Sequence, residues 1–425
     1  MDELFAGEGA LAVDAERASG YRYFSNAYLF QFYRRGSRIF LLDPIPLRED
    51  AELIAEFNER SRELEWIIHA STQDLPCIRE FGFKPERLFD TELGARLAGL
   101  PKVGLGPLTE QLLNLSLAKE HSAVDWSIRP LHPEWRNYAA LDVDVLPDLH
   151  DAIAALLKAE GKFDLAYEEF QSVLHQFSEV DELQADTSQA KSSQEYRGPK
   201  PRKDPWRRTS GIHHVKGRRG LAIVRELWNE RDRIARERDI SPGRLLPDLA
   251  ISEIAIAARN MDAVQFEAEA SRIFKESGHM QRHFRKYKRE LYPTWSAAVD
   301  HALRLAEEEL PQMRATSDAL PPVKVWREKS KLAYARLTHA RHNLNLVAQE
   351  KRIPLENLIS PESVRRIAWQ SERFTFTEDS LRVRLLELGV RQWQIDLTFD
   401  PLFTALQERE PLMVPADEED SASPE

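Results

Sequence analysis

Cysteine is nearly absent. Cys77 stands alone in a chain of 425 residues, so an intramolecular disulfide is impossible and a structural zinc site built on several thiolates is excluded. A lone thiol beside Leu75 and Ile78 reads as an inert, semi-buried side chain in a reducing compartment. Long hydrophobic runs are missing too. None approaches the roughly 20 residues needed to cross a bilayer, and Met1 to Glu8 lacks the basic and apolar regions of a secretory signal. A cytoplasmic protein without a membrane span is the expectation. Excess positive charge is also lacking: the formal net charge is -11, which argues against a protein that coats nucleic acid indiscriminately, because phosphate binding rests on Lys and Arg. Any such binding falls to local patches. Arg197 to Arg219 holds nine Lys or Arg against one acid, Asp204, whereas Asp417 to Glu425 has no basic residue.

What is present is an ordinary globular composition, 42% hydrophobic and 30% charged, on a chain too long for a single core. Strand-like segments open it: Ala10 to Val13, Tyr28 to Tyr33, Ile39 to Leu42 and Trp66 to Ile68, with a helical stretch around Asp50 to Ser61. From Thr72 the pattern turns mostly helical, and Glu134 to Lys158 reads as one long helix with Tyr138, Leu141, Val145 and Leu149 on a face. The composition places an α/β domain at residues 1–177, a linker at 178–205, a helical module at 206–292, a connection at 293–321, a second module at 322–402 and an acidic, disordered tail at 403–425. The segments Ala235 to Ala255 and Ala348 to Ala368 align without gaps, pairing Ile240 with Ile353, Leu245 with Leu358 and Ile254 with Ile367. This suggests two copies of one helical module.

Chemistry concentrates in acids. Asp14 and Glu16 lie two apart at the end of the first strand and therefore share a face. Asp74 enters a helix after the strand that ends at His69, and Tyr138 and Asp142 stand one helical turn apart. Each has an ordinary explanation by itself: a solvated strand end, a helix N-terminal charge, a surface pair. Together, four carboxylates offer all-oxygen ligands for two hard divalent ions, Mg²⁺ or Mn²⁺, as phosphoryl-transfer chemistry requires.

Asp14-x-Glu16, His69-x₄-Asp74 and Tyr138-x₃-Asp142, in this order, resemble the three exonuclease motifs of the DEDDy superfamily, and specifically of the ribonuclease D family. The text between them agrees: Tyr28-Leu29 with Gln31, Leu42-Asp43-Pro44, Leu88-Phe89-Asp90-Thr91, Asp125-Trp126, and Arg129-Pro130-Leu131. The repeats resemble HRDC modules, helical domains that bind nucleic acid. The resemblance implies a ribonuclease H-like α/β domain with an all-α C-terminal half of two HRDC-like bundles. It also implies hydrolysis of RNA from the 3′ end to nucleoside 5′-monophosphates, with tRNA precursors or other small structured RNA as substrate and a monomer as the working unit. Asp14, Glu16, Asp74 and Asp142 would hold two metal ions, and Tyr138 would orient the attacking water. His69 is a structural or substrate-lining candidate. Lys119 and Arg129 are candidates for phosphate contact or for solvated ion pairs, and Arg207, Arg208, Lys216, Arg218 and Arg219 are candidates to track a phosphate backbone or to line a solvated helix face. Three rival readings remain at this point: a DNA exonuclease of the same superfamily, a catalytically idle RNA-binding adaptor, and a protein interaction platform using the acidic surface, which predicts no metal dependence.

Overall fold

The computed structural model describes residues 1–117, 124–185, 203–277, 288–314 and 320–412. Five strands form one mixed sheet: β1 (Glu8–Arg17), β2 (Ala27–Arg35), β3 (Phe40–Leu42), β4 (Glu65–Ile68) and β5 (Arg87–Asp90), in the order β3-β2-β1-β4-β5. The β1–β2 and β2–β3 pairs are antiparallel, while β1–β4 and β4–β5 are parallel. The strand order runs outward from β1 to β3 on one side and restarts at β4 on the other, which makes β1 the switch strand, and ligands of open α/β sheets bind outside the carboxyl ends of strands at such a point. Strand alternation divides its side chains. Leu11, Val13 and Ala15 enter the main core with Phe30, Phe32, Trp66 and Ile68, whereas Ala12 joins Ile67, Val143 and Leu146 on the opposite face. Asp14 and Glu16 belong to that second face by the same period of two.

Several expectations are corrected. The first strand runs on to Arg17, so Asp14 and Glu16 are embedded in it rather than placed at its end. β5 (Arg87–Asp90) lies in the stretch after Thr72 that reads as mostly helical, and is not among the expected strands. The stretch expected as one long helix is two, Pro133–Asp144 and Leu146–Ala159, parted at Val145. Pro147 falls in the first turn of the second helix, where its missing N–H is harmless, and it stops the first from continuing. In consequence Leu141, placed on the apolar face in the one-helix reading, is exposed.

The helix Phe163–Ala185 runs into the expected linker, since Ser178 to Ala185 contains no glycine or proline to stop it; residues 186–202 lie outside the described residues. No strand occurs among the described residues after 203, and the helical half is built on two further cores. The first gathers Leu227, Ile251 and Phe266, and it continues through Trp295, Val299, Ala302 and Leu310, past the connection expected at 293. Pro293, read as punctuation, lies inside the helix Lys288–Arg304 that supplies Trp295, Val299 and Ala302. The second gathers Trp326, Leu337, Ile367 and Leu381, and extends to Ala405 and Leu406, so the first residues of the expected tail are core. Residues 413–425 lie outside the described residues.

The repeat appears in the backbone. Helix Arg218–Arg238 ends at Asp239 and helix Lys331–Lys351 at Arg352, both left-handed, with φ of 47° and 50°. In each the next N–H returns to the helix, Ile240 to Ala235 and Ile353 to Ala348. Both corners touch the α/β domain. The Asp239 carboxylate accepts from the backbone N–H groups of Tyr23 and Phe24 at 3.0 and 3.2 Å. Arg352 pairs with Glu160, and its carbonyl approaches Lys162 Nζ at 3.5 Å. Arg391 of the second module also forms a two-pronged pair with the buried Glu169.

Candidate metal centre and nucleic-acid contacts

β1 and the helix Pro133–Asp144 build the centre between them. The helix crosses β1 and β2, and burial of Ala139 and Val143 fixes its rotation. That rotation turns Tyr138 and Asp142 toward the strand. Ligand oxygens of Asp14, Glu16 and Asp142 all lie within 4.8 Å of one another. Asp74 is not one of this tight trio. It follows β4, starts the helix Leu75–Phe81, is buried, and faces Arg17 at 3.7 Å. An irregularity in the β1–β2 pairing falls between Glu16 and Arg17.

The electrostatics are those of a site built for cations. Burial, opposed only in part by Arg17 and a backbone N–H, pushes Asp14 up to about 6. Burial and then repulsion from Asp14, Asp142 and Asp74 push Glu16 up to about 9. Burial and Asp14 push Asp142 up to about 7, and burial and Asp14 raise Asp74 well above the carboxylate range. Four acids against one guanidinium cannot all ionise together without added positive charge. Divalent cations of the hard, oxygen-seeking class fit this donor set. The Tyr138 hydroxyl is hydrogen-bonded to Asp142, and burial followed by Asp142 raises its pKa. It therefore stays protonated, a donor rather than a base.

Two residues quoted in the resemblance without a role support the site. Asp90, at the end of β5, is buried and accepts from Ala70 N, Ser71 N, Ser71 Oγ, Glu92 N and Leu93 N at 2.7–3.2 Å. It pins the left-handed Ala70 (φ 54°) and the turn that delivers Asp74, and it caps the helix Thr91–Leu97. The Asp-Thr-Glu order before an apolar run was the available signal. Gln31, opposite Asp14 in the sheet, is fully buried with both amide atoms unpartnered. Such burial costs on the order of 1–3 kcal/mol, a cost that suits a polar site whose ligand completes it.

The remaining candidates divide. His69 Nδ1 lies 2.9 Å from Thr91 Oγ1, and burial lowers its pKa although Asp90 and Glu92 oppose this. It is neutral and held in the scaffold. Arg129, a candidate for a phosphate contact or an ion pair, makes the ion pair: it donates to both oxygens of Asp43 at 2.6 and 2.8 Å and to the carbonyls of Tyr28, Trp126 and Ile128. Arg218 and Arg219 are likewise engaged, donating to the carbonyls of Glu307, Leu310, Pro311, Ala302 and Leu305. Arg207 donates to Asp204 and to the Gln312 carbonyl. These arginines staple chain segments because their planar forks satisfy several carbonyls at once. Arg208 and Lys216 are exposed. Lys119 lies outside the described residues.

A mixed sheet of this order with an acidic trio beside its switch strand defines a 3′–5′ exonuclease domain, and comparison with known proteins agrees. Residues 3–158 match the family model described as 3′-5′ exonuclease, residues 220–264 the HRDC domain, and residues 319–406 the 3′ to 5′ exonuclease C-terminal domain. The second module thus matches a different model from the first. A curated relative from Cronobacter turicensis, named ribonuclease D, is 26% identical over 347 residues, 81% of this chain and 84% of its own. Seven further curated relatives, named ribonuclease D or exosome complex exonuclease RRP6, are spanned over only 32% to 59% of their length. The crystal structure of a protein from Bifidobacterium adolescentis is 37% identical, with a TM-score of 0.79 and coverage of 96% of this chain and 94% of that one. Escherichia coli RNase D shares the fold over 96% of both chains at 20% identity, with a TM-score of 0.61. The chain thus carries a 3′-5′ exonuclease domain followed by an HRDC domain, and it is similar to proteins named ribonuclease D.

Proposed function

We infer that the protein is a metal-dependent 3′–5′ exoribonuclease that hydrolyses RNA from its 3′ end and releases nucleoside 5′-monophosphates. The observation that carries this reading is the convergence of Asp14, Glu16 and Asp142 within 4.8 Å, under mutual repulsion, on the switch strand of an exonuclease sheet. Asp14, Glu16, Asp142 and Asp74 would hold two divalent ions, Mg²⁺ or Mn²⁺. Bound there, the ions supply positive charge that acidifies a water and stabilises the leaving 3′-oxygen. The side chains do the rest. The carboxylates give up their protons to accept the cations. Tyr138, its hydroxyl donated to Asp142, accepts from the attacking water through its oxygen lone pairs and orients it. Exposed Arg208 and Lys216 are the described candidates for contact with the RNA backbone. The substrate class is precursor tRNA or other small structured RNA, met in the cytoplasm by a monomer. No helix among the described residues is long and apolar enough to cross a membrane.

The test is shortening of a 5′-labelled RNA with a 3′ tail, with Mg²⁺, with Mn²⁺ and with chelator. Wild type should shorten the strand stepwise only with metal, and Asp14→Ala should show no product. RNA binding without shortening would support the adaptor reading, and equal shortening of a matched DNA strand would remove the preference for RNA.

A further inference from the structure

Gln31 is fully enclosed, and neither its amide nitrogen nor its amide oxygen has a hydrogen-bond partner. Sheet register fixes its surroundings. β1 sets Asp14 directly opposite, and β3 sets Leu41 on the other side. Directly opposed side chains share a face, with Cβ atoms about 4.5–5.5 Å apart. Along β2 its neighbours on that face are Leu29 and Tyr33. Leu29 packs with Trp126 and Ala139, and Tyr33 packs with Ala12 and Val143. Of these flanking groups, Asp14 alone carries a carboxylate. Packing gives no reason for an amide here, because a methionine or leucine would fill the space and leave no polar atom unsatisfied.

We propose that Gln31 is a positioning residue for the metal ligand Asp14, its Nε2 donating to the carboxylate oxygen that a bound divalent cation leaves over. The inference rests on the metal-site reading given above. A carboxylate has more lone-pair sites than one cation uses, and a ligand is held in its coordinating orientation by a donor on its outer side. Gln31 is neutral, so it supplies that donor without adding positive charge to compete with the cation. Leu29, Tyr33 and Leu41 flank Gln31 by register and offer its amide no polar partner.

The experiment is calorimetric titration of Mn²⁺ into the full chain as wild type, Gln31→Met and Asp14→Asn, with thermal unfolding of each with and without Mn²⁺. Gln31→Met should unfold at the same or a higher temperature without metal. It should bind Mn²⁺ about tenfold or more weakly and gain less thermal stability from the same Mn²⁺ concentration. Unchanged Mn²⁺ affinity in Gln31→Met overturns the proposal. If Gln31→Met does not fold, Gln31→Leu replaces it; failure of both to fold without metal makes Gln31 a support of the sheet and likewise overturns the proposal. Equal Mn²⁺ uptake by wild type and Asp14→Asn would overturn the metal-site reading itself, and the positioning role with it.

Discussion

Arginine 129 shows how a residue that reads as a nucleic-acid contact can be committed elsewhere. Its fork closes on Asp43 while three carbonyls take the other donors, a geometry that lysine cannot reproduce. Arg129→Lys should lower unfolding free energy by about 1–3 kcal/mol in urea titrations, yet leave the salt dependence of RNA binding unchanged; loss of a phosphate contact would instead reduce the slope by about 0.7 per contact on a single strand. His150 gives a pH signature away from the centre. Burial disfavours its cation, but hydrogen bonds to Glu65 and Asp151 outweigh this and hold the pKa above the ordinary 6.5. A raised folded pKa stabilises fully below the unfolded value and is lost as pH rises through the folded one. Wild type should therefore exceed His150→Gln in thermal stability at pH 5.5, by about 1 kcal/mol or less for so accessible a pair, and the gap should narrow at pH 8.5. A gap independent of pH would contradict the ion-pair role.

Among elements, the turn between β4 and the helix Leu75–Phe81 depends on a single carboxylate. Asp90→Ala would strand two buried backbone N–H groups at Ala70 and Ser71 and uncap the following helix. A loss of about 3 kcal/mol is expected, with weaker Mn²⁺ binding in titration, because Asp74 is delivered by that turn. Legibility in the sequence follows the same lines. Asp14 with Glu16 and Tyr138 with Asp142 could be paired by eye because the strand period of two and the helix period of 3.6 are local. Asp90 and Gln31 could not. Asp90 acts on residues 19 and 20 positions earlier through a left-handed alanine that no turn rule predicts, and Gln31 meets Asp14 only through register. The break at Val145 was legible in principle from Pro147, whereas Pro293, the same residue type, sits inside a helix and breaks nothing.

For the molecule as a whole, the two helical modules are seated rather than tethered. The loop before β2 meets the first module through Tyr23 and Asp232 at 2.9 Å and through Arg244, which donates to the Gly20 carbonyl at 2.6 Å. Ala348, Ile353, Leu358 and Trp393 of the second module lie in the core of the exonuclease domain. Gly99 marks the second seat: its φ is 82°, and a Cβ there would stand 2.7 Å from the Arg352 carbonyl oxygen. Gly99→Ala is thus strained twice, by its own backbone and by a neighbour that cannot yield without lifting the module. It should speed amide exchange at Ile353 and lower the unfolding midpoint by several degrees, while the same measurement at Ile240 stays unchanged.

The equivalence of Asp239 and Arg352 carries one more consequence. The two modules share a corner and differ in what the corner offers: an anion to one host surface, a cation and a carbonyl to the other. They are therefore alike in backbone but opposite in polarity at the point of attachment. Arg22 faces Asp239 at 3.9 Å as Glu160 faces Arg352, so exchanging the modules in a chimaera would bring Asp239 against Glu160 and Arg352 against Arg22, and each is keyed to its own place in the chain.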